Sequence, residues 1–234
     1  MEKVVVSLGG SVLVPGEDDA RRIRAIAALF REVSTRVKLF VVTGGGRIAR
    51  YYIETGRAVG MGEKALDEMG IVVTQLNARL LAGALRGRAN REPATSYREA
   101  ARLAKRFPIV VMAGTRPGHT TDRVAASLAR YVGAARIVNA TSVDGVYSSD
   151  PSENPQASFL PRVTFEELVR LTRASASWKA GPSVVFDPVA ARVVARDRTP
   201  LRVVSGRNLR ALRGAILGTP FRGTLVSERP GDRA

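Results

Sequence analysis

The sequence predicts an α/β fold, a mainly parallel sheet with helices on both faces. Three observations carry that prediction. Short valine-rich runs recur along most of the chain, as in "KVVVSL", "LFVVT" and "PIVVMAG". Helical patterns of about 10–15 residues separate them, the spacing of strand–helix–strand units. Glycine, serine and threonine cluster where each run ends.

Taken in order, residues 3–8 read as a buried strand, 18–33 as a helix, 38–43 as a strand and 46–58 as a helix. A longer helix follows over 63–86, with Leu66, Met69, Val73, Leu76, Leu80 and Leu81 on one stripe. Ser96 and Glu99 form a capping box that opens "SYREAARLAKRF". Next come a strand at 108–114, the loop "TRPGHTT", a helix from Asp122 to Val132 and a strand at 136–141. Residues 142–160 are rich in turn formers and allow short hairpin stretches at most. Thr164 with Glu167 caps one further helix, and Asp187-Pro188 starts another. "PLRVVSG" (200–206) is a strand, "NLRALRGAI" a short helix and "GTLVS" an edge strand, while the tail "SERPGDRA" is expected to fray.

Composition narrows the functional classes. Apolar residues make up 45% of the 234 and charged residues 25%, a globular balance that argues against extensive disorder. No apolar run reaches the ~18 residues of a membrane span, and Met1-Glu2-Lys3 does not open like a secretory leader, so a cytoplasmic protein is expected. The chain has no cysteine, hence no disulfide or thiolate metal site, and the single His119 argues against a zinc centre. No dedicated metal site is expected. Charge is the unusual feature: 37 basic against 21 acidic residues give +16. A biased genome, a hot habitat or a polyanionic partner would each produce it. The arginines are scattered, with no basic tail and little aromatic interleaving, which argues against nucleic acid.

In an open parallel sheet, ligands bind beyond the carboxyl ends of the strands. The four loops there are "SLGGS" (7–11), "TGGGRIAR" (43–50), "AGTRPGHTTD" (113–122) and "ATSVDGVYSSDP" (140–151). Glycine lets backbone N–H groups approach an anion, and a following helix adds its positive end. Arg47 and Arg50 offer guanidinium forks for phosphate oxygens. Neither a G-x-x-x-x-G-K-[ST] loop nor a G-x-G-x-x-G fingerprint occurs, so phosphate binding by another architecture is expected.

The segments "LGGSVLVP", "VVTGGGRIARYYIE", "LDEMGIVVTQLNARLL", "AGTRPGHTTDRVAA", "NATSVDGVYSSDP" and "FDPVAARVVARDRTPLRVV" resemble the amino acid kinase superfamily, and within it the archaeal uridylate (UMP) kinases. The resemblance runs from Val4 to about Leu225, and "PGHTTD" followed by "DGVYxxDP" is its specific part. It implies a three-layer αβα sandwich in a single domain over 1–234, with an N-terminal lobe (1–135) for UMP and a C-terminal lobe (136–228) for ATP. It implies ATP with Mg²⁺, transfer of a phosphoryl group to UMP, and a homohexamer built as a trimer of dimers. On this resemblance Gly10, Ser11, Gly46 and Arg50 meet the ATP phosphates, and Thr141, Tyr147 and Asp150 hold the adenosine. Gly45 meets the UMP phosphate, Asp67 the ribose, and Thr115, Arg116, Pro117, Gly118, His119, Thr120 and Thr121 wrap the uridine.

The chain departs from the superfamily at Ser7, where many relatives carry a lysine that neutralises the transferring group. A second lysine would fall near Val184; Lys179 is the nearest substitute, and Arg50 the better-supported cation. Both are expected to be catalytic. Ser142 stands where asparagine is common. The rival readings are an isopentenyl phosphate kinase, whose family places histidine just after the triple glycine, and a basic nucleotide- or RNA-binding regulator without turnover.

Overall fold

The computed structural model describes residues 1–151, 154–175 and 186–228. Strand β1 (Lys3–Leu8) leads into a single helical turn, α1 (Gly10–Leu13), then α2 (Asp19–Val33) and β2 (Lys38–Thr43). Helices α3 (Gly46–Ala58), α4 (Glu63–Ala84) and α5 (Tyr97–Leu103) precede β3 (Ile109–Met112), α6 (Thr121–Val132) and β4 (Arg136–Thr141). A hairpin of β5 (Val146–Tyr147) and β6 (Phe159–Leu160) comes before β7 (Arg162–Thr164) and α7 (Phe165–Ser175). The chain continues through α8 (Pro188–Asp197), β8 (Leu201–Ser205), α9 (Leu209–Leu217) and β9 (Thr224–Ser227).

The strands line up as β3-β2-β1-β4-β8-β9-β7. The first five are parallel, β9 runs against β8, and β7 runs with β9. Alternate side chains divide between two cores. Val4, Val6 and Leu8 join Leu39, Val41 and Val111 beneath α2, α4 and α9. Val5 joins Phe40, Val42, Val110 and Met112 beneath α6 and α8. Because both faces are covered, the strands read as unbroken apolar runs rather than as alternation.

Helix starts follow their caps. Asp187 Oδ1 accepts from the Ala190 N–H at 2.7 Å, with Pro188 in the first turn. Thr164 and Glu167 bond reciprocally, at 3.1 and 2.8 Å.

Two expectations are corrected. "GTLVS" is not an edge strand, because the three-residue β7 pairs with β9 and takes the edge itself. The stripe on α4 also divides: Leu66, Val73 and Leu81 are buried, whereas Leu76 and Leu80 are each 52% exposed.

The winding decides where ligands go. From β1 the chain proceeds outward through β2 to β3, then returns to lay β4 on the other side of β1 and β8 beyond it. The connections leave in opposite directions between β1 and β4, so their carboxyl ends open into a crevice.

Candidate active site

Backbone, more than side chains, builds the crevice. The loop after β1 and the loop after β2 interlock so closely that a Cβ on Gly10 would stand 2.2 Å from the Gly46 nitrogen. Gly46 has φ +64°, and its own Cβ would lie 2.4 Å from the Gly10 carbonyl carbon. The adjacent glycines at both strand ends are there because only bare backbone fits. From α4, buried Asn77 donates through Nδ2 to the Gly44 carbonyl at 2.8 Å and to that of Gly45 at 3.3 Å, fixing the second loop.

Around this interlock lie two cavities. The first, about 290 Å³, sits over the ends of β1, β2 and β4. Its walls include Ser7, Gly10, Ser11, the three glycines 44–46, Asp122, Asn139, Thr141 and Ser142. The second, about 370 Å³, opens between α3, α4 and the loop after β3, and is lined by Ile53, Asp67, Gly70, Thr74, Gly114 and residues 116–119. Gly45, Gly46, Arg50, Thr120 and Thr121 line both. Helices α3 and α6 both begin at this shared wall, α3 without a side-chain cap and α6 capped by Thr120 Oγ1, which accepts from the Arg123 N–H at 3.2 Å, so two positive helix ends meet where an anion would lie. The Arg50 guanidinium spans the junction and donates to Ser11 Oγ at 3.3 Å.

One carboxylate faces the first cavity from its floor. Asp122 Oδ1 accepts from the Ser7 hydroxyl at 2.8 Å, and Oδ2 accepts from the Asp187 N–H at 3.2 Å. Burial outweighs the two hydrogen bonds, which act to lower it, and leaves its carboxyl pushed up to about 6. Asp122 escaped sequence reasoning because an aspartate in a first helical turn reads as a partner of the helix dipole. Asn77, Asn139 and Asp187 were missed for similar reasons: each is an ordinary polar residue until the fold brings a distant loop against it. The order "TTD…FDP" was the one available signal for the Asp122–Asp187 pairing.

The second cavity depends on side chains. Asp67 Oδ2 accepts from the Gly118 N–H at 2.7 Å, tying α4 to the loop tip, where Gly118 has φ +73°. Arg123 Nη1 donates to the Gly118 carbonyl at 3.4 Å. Thr74 Oγ1 accepts from the Gly114 N–H at 2.8 Å and holds the loop's other end. His119 Nδ1 is buried without a hydrogen-bond partner. Desolvation, then the charges of Arg123 and Arg116, hold that imidazole below the usual histidine range.

The structure gathers most of the expected residues at this rim and leaves a few elsewhere. Gly10, Ser11, Gly45, Gly46, Arg50, Asp67, Thr141, Arg116, Pro117, Gly118, His119, Thr120 and Thr121 all line one cavity or both. Thr115 lines neither, and its hydroxyl is buried without a partner. Tyr147 stacks edge-on against Phe159 in the hairpin, centroids 5.5 Å apart, and with the buried Asp150 stands outside both walls. Arg47 packs against Gly16 and also lines neither cavity. Lys179 and Val184 lie outside the described residues.

A mainly parallel sheet whose crevice combines glycine backbone, helix N-termini and a guanidinium defines an α/β protein with a site suited to phosphate groups. Residues 2–205 match the amino acid kinase family, and the chain belongs to that family. It is 45% identical to the uridylate kinase of Methanoculleus marisnigri over 228 residues, covering 97% of each chain. Against the uridylate kinase of Archaeoglobus fulgidus it is 41% identical over 220 residues, 93% of this chain and 98% of the relative. The crystal structure of uridylate kinase from Archaeoglobus fulgidus superposes with a TM-score of 0.86 at 38% identity, covering 97% of this chain and all of that one. A Bacillus anthracis UMP kinase structure shares the fold, with a TM-score of 0.81 at 22% identity over 97% of this chain and 96% of that one.

Proposed function

We propose that this chain transfers the γ-phosphoryl group of ATP to UMP, giving ADP and UDP, in pyrimidine nucleotide synthesis. The shared wall carries the reading: one set of residues, Gly45, Gly46, Arg50, Thr120 and Thr121, belongs to both cavities, so two phosphate chains meet there tip to tip. The uridylate kinase relatives support the acceptor. In this reading the C-terminal lobe (136–228) and the first glycine loop hold ATP, and the rest of the N-terminal lobe (1–135) holds UMP.

A UMP phosphate oxygen attacks the γ-phosphorus in line. The bond from that phosphorus to the β,γ-bridging oxygen breaks, and ADP leaves with the electron pair. No covalent enzyme intermediate is needed; alignment and charge neutralisation do the work. The N–H groups of the two glycine loops and the helix ends hold the phosphates, and Arg50 sits where donor and acceptor charges converge. Thr141 contributes to the donor wall, Asp67 meets the ribose, and the 116–121 loop encloses the uracil.

The walls of the first cavity offer a metal one carboxylate, Asp122, whose oxygens are already engaged. Among the described residues no three His, Asp or Glu side chains group together. Mg²⁺ would arrive with the nucleotide and would supply charge neutralisation at its phosphates.

Self-association is part of the proposal. Val72, Leu76 and Leu80 recur every fourth residue along α4 and are each 52% exposed, and Tyr51 on α3 is 64% exposed. An apolar row of this kind supports self-association, and the assembly proposed is a hexamer of three dimers, which sedimentation velocity would measure. Among the described residues no helix is long and apolar enough to cross a membrane; work in the cytoplasm is part of the proposal.

The experiment that tests the activity is coupled ADP release from Mg-ATP with UMP, CMP, AMP or isopentenyl phosphate as acceptor. UMP should be turned over far faster than the others. Equal or faster turnover of isopentenyl phosphate overturns the assignment, and nucleotide binding without turnover makes the chain a regulator.

A further inference from the structure

We propose that Arg22 is a positioning residue for the donor side, clamping the first glycine loop to the loop that follows β8; the donor's identity rests on the activity inferred above. Arg22 lies in the first turn of α2 and does not line either cavity. Its Nε donates to the Val12 carbonyl at 3.1 Å and its Nη1 to the Arg207 carbonyl at 3.3 Å, while Nη2 donates to the Gly206 carbonyl. Val12 belongs to α1, the turn that carries Gly10 and Ser11 into the first cavity. Gly206 belongs to the opposite wall, because its N–H donates to the Thr141 carbonyl at 2.7 Å and Thr141 lines that cavity. One guanidinium thus joins the two sides between which a triphosphate would lie.

Packing closes the same joint. A Cβ on Gly206 would stand 2.3 Å from a Val12 methyl, so the β8 loop and α1 already touch. The clamp is also formed against an electrostatic penalty: burial and the neighbouring Arg207 guanidinium hold Arg22 below the usual arginine range. Carbonyl acceptors from two separate loops offset that penalty. A planar fork reaches all of them at once, and a lysine ammonium, being a point charge, cannot.

The test uses the full chain with Arg22→Met, Arg22→Lys and Gly206→Ala. For each, the KM values for ATP and UMP are measured, with the affinity for ADP by calorimetry. In Arg22→Met the KM for ATP and the Kd for ADP should rise about tenfold, the effect of losing a hydrogen bond from a charged group. The KM for UMP should stay within about twofold, since its site lies beyond the shared wall and uncoupled sites act independently. Arg22→Lys should recover part of the loss. Gly206→Ala, which forces the same joint open from the other side, should reproduce the ATP-selective pattern.

Unchanged ADP affinity in Arg22→Met overturns the proposal, as does an equal rise in KM for both substrates. Should Arg22→Met fail to fold, unchanged ADP affinity in both Arg22→Lys and Gly206→Ala overturns it instead. ADP affinity is read without turnover. Weakened binding in the variants of a protein that never phosphorylates UMP would uphold the clamp and reject the activity.

Discussion

The two cavities are made of different material. The first is built around two glycine loops packed backbone against backbone, with the half-buried Asp122 carboxylate beneath them. The second is walled by side chains on α3 and α4 and by a loop pinned at its tip through Asp67 and Gly118. A backbone wall recognises what every phosphate shares. A side-chain wall can be tuned to one nucleoside. Substitutions in the first should therefore abolish function, and those in the second should redirect or weaken it.

The harshest test is Gly10→Ala. The added methyl would need space 2.2 Å from the Gly46 nitrogen, and that neighbour is backbone that cannot rotate away. Separating the loops by even about 1 Å would cost at least about a hundredfold in turnover, and the strain about 1–3 kcal/mol of stability. Steady-state kinetics with thermal melts would show both losses. A variant with normal turnover would break the contrast between the cavities.

Next is the floor of the first cavity. Asp122 is held up at about 6 in the folded protein, against an ordinary 3.8. Between those values the native state keeps a proton that the unfolded chain has released, so native stability falls as pH rises through the window. The total is about 3 kcal/mol, absent below about pH 4 and complete above about pH 6. Asp122→Asn removes this loss while keeping an oxygen for the Asp187 N–H and a partner for Ser7. Denaturant melts at pH 4 and pH 7 should show the variant gaining on the parent protein by up to that amount. The same pH response in both proteins would deny Asp122 its raised titration.

Arg50→Ala addresses the boundary itself. The guanidinium lines both cavities, so removing it should lower turnover about a hundredfold, the lower end of what charge-stabilising groups contribute. A near-normal rate would transfer the role to Lys179.

Legibility followed the same division of material. The strands were readable because burial on both faces turns them into continuous runs such as Val4-Val5-Val6. The glycine loops were readable because glycine at a strand end is rare unless backbone must approach backbone or ligand. Whatever depended on distant partners was not. Asp122 meets Ser7 across 115 positions of sequence, and nothing local to either residue announces it. Leu76 and Leu80 carry the same 3.6-residue signal as Leu81, since periodicity reports an apolar face and not what covers it. Strand β7 has three residues after a proline, too few to register, and without it β9 looked like an edge.

The smallest expected effect sharpens the comparison most. Asp67 has one oxygen bonded to the Gly118 N–H and lines the second cavity, where the proposed function has it meet the ribose. Asp67→Asn keeps the size of the side chain and can still accept from Gly118, but it loses the charge that strengthens the hydrogen bonds. The KM for UMP should rise about tenfold, the value of one charged hydrogen bond, while the KM for ATP stays unchanged. This pattern is the mirror image of the one expected at Arg22, where the donor suffers and the acceptor does not. If both KM values rise together in Asp67→Asn, the cavities are coupled through the shared wall rather than independent of each other. The division between a backbone site for phosphates and a side-chain site for the nucleoside would then fail at the residue best placed to demonstrate it.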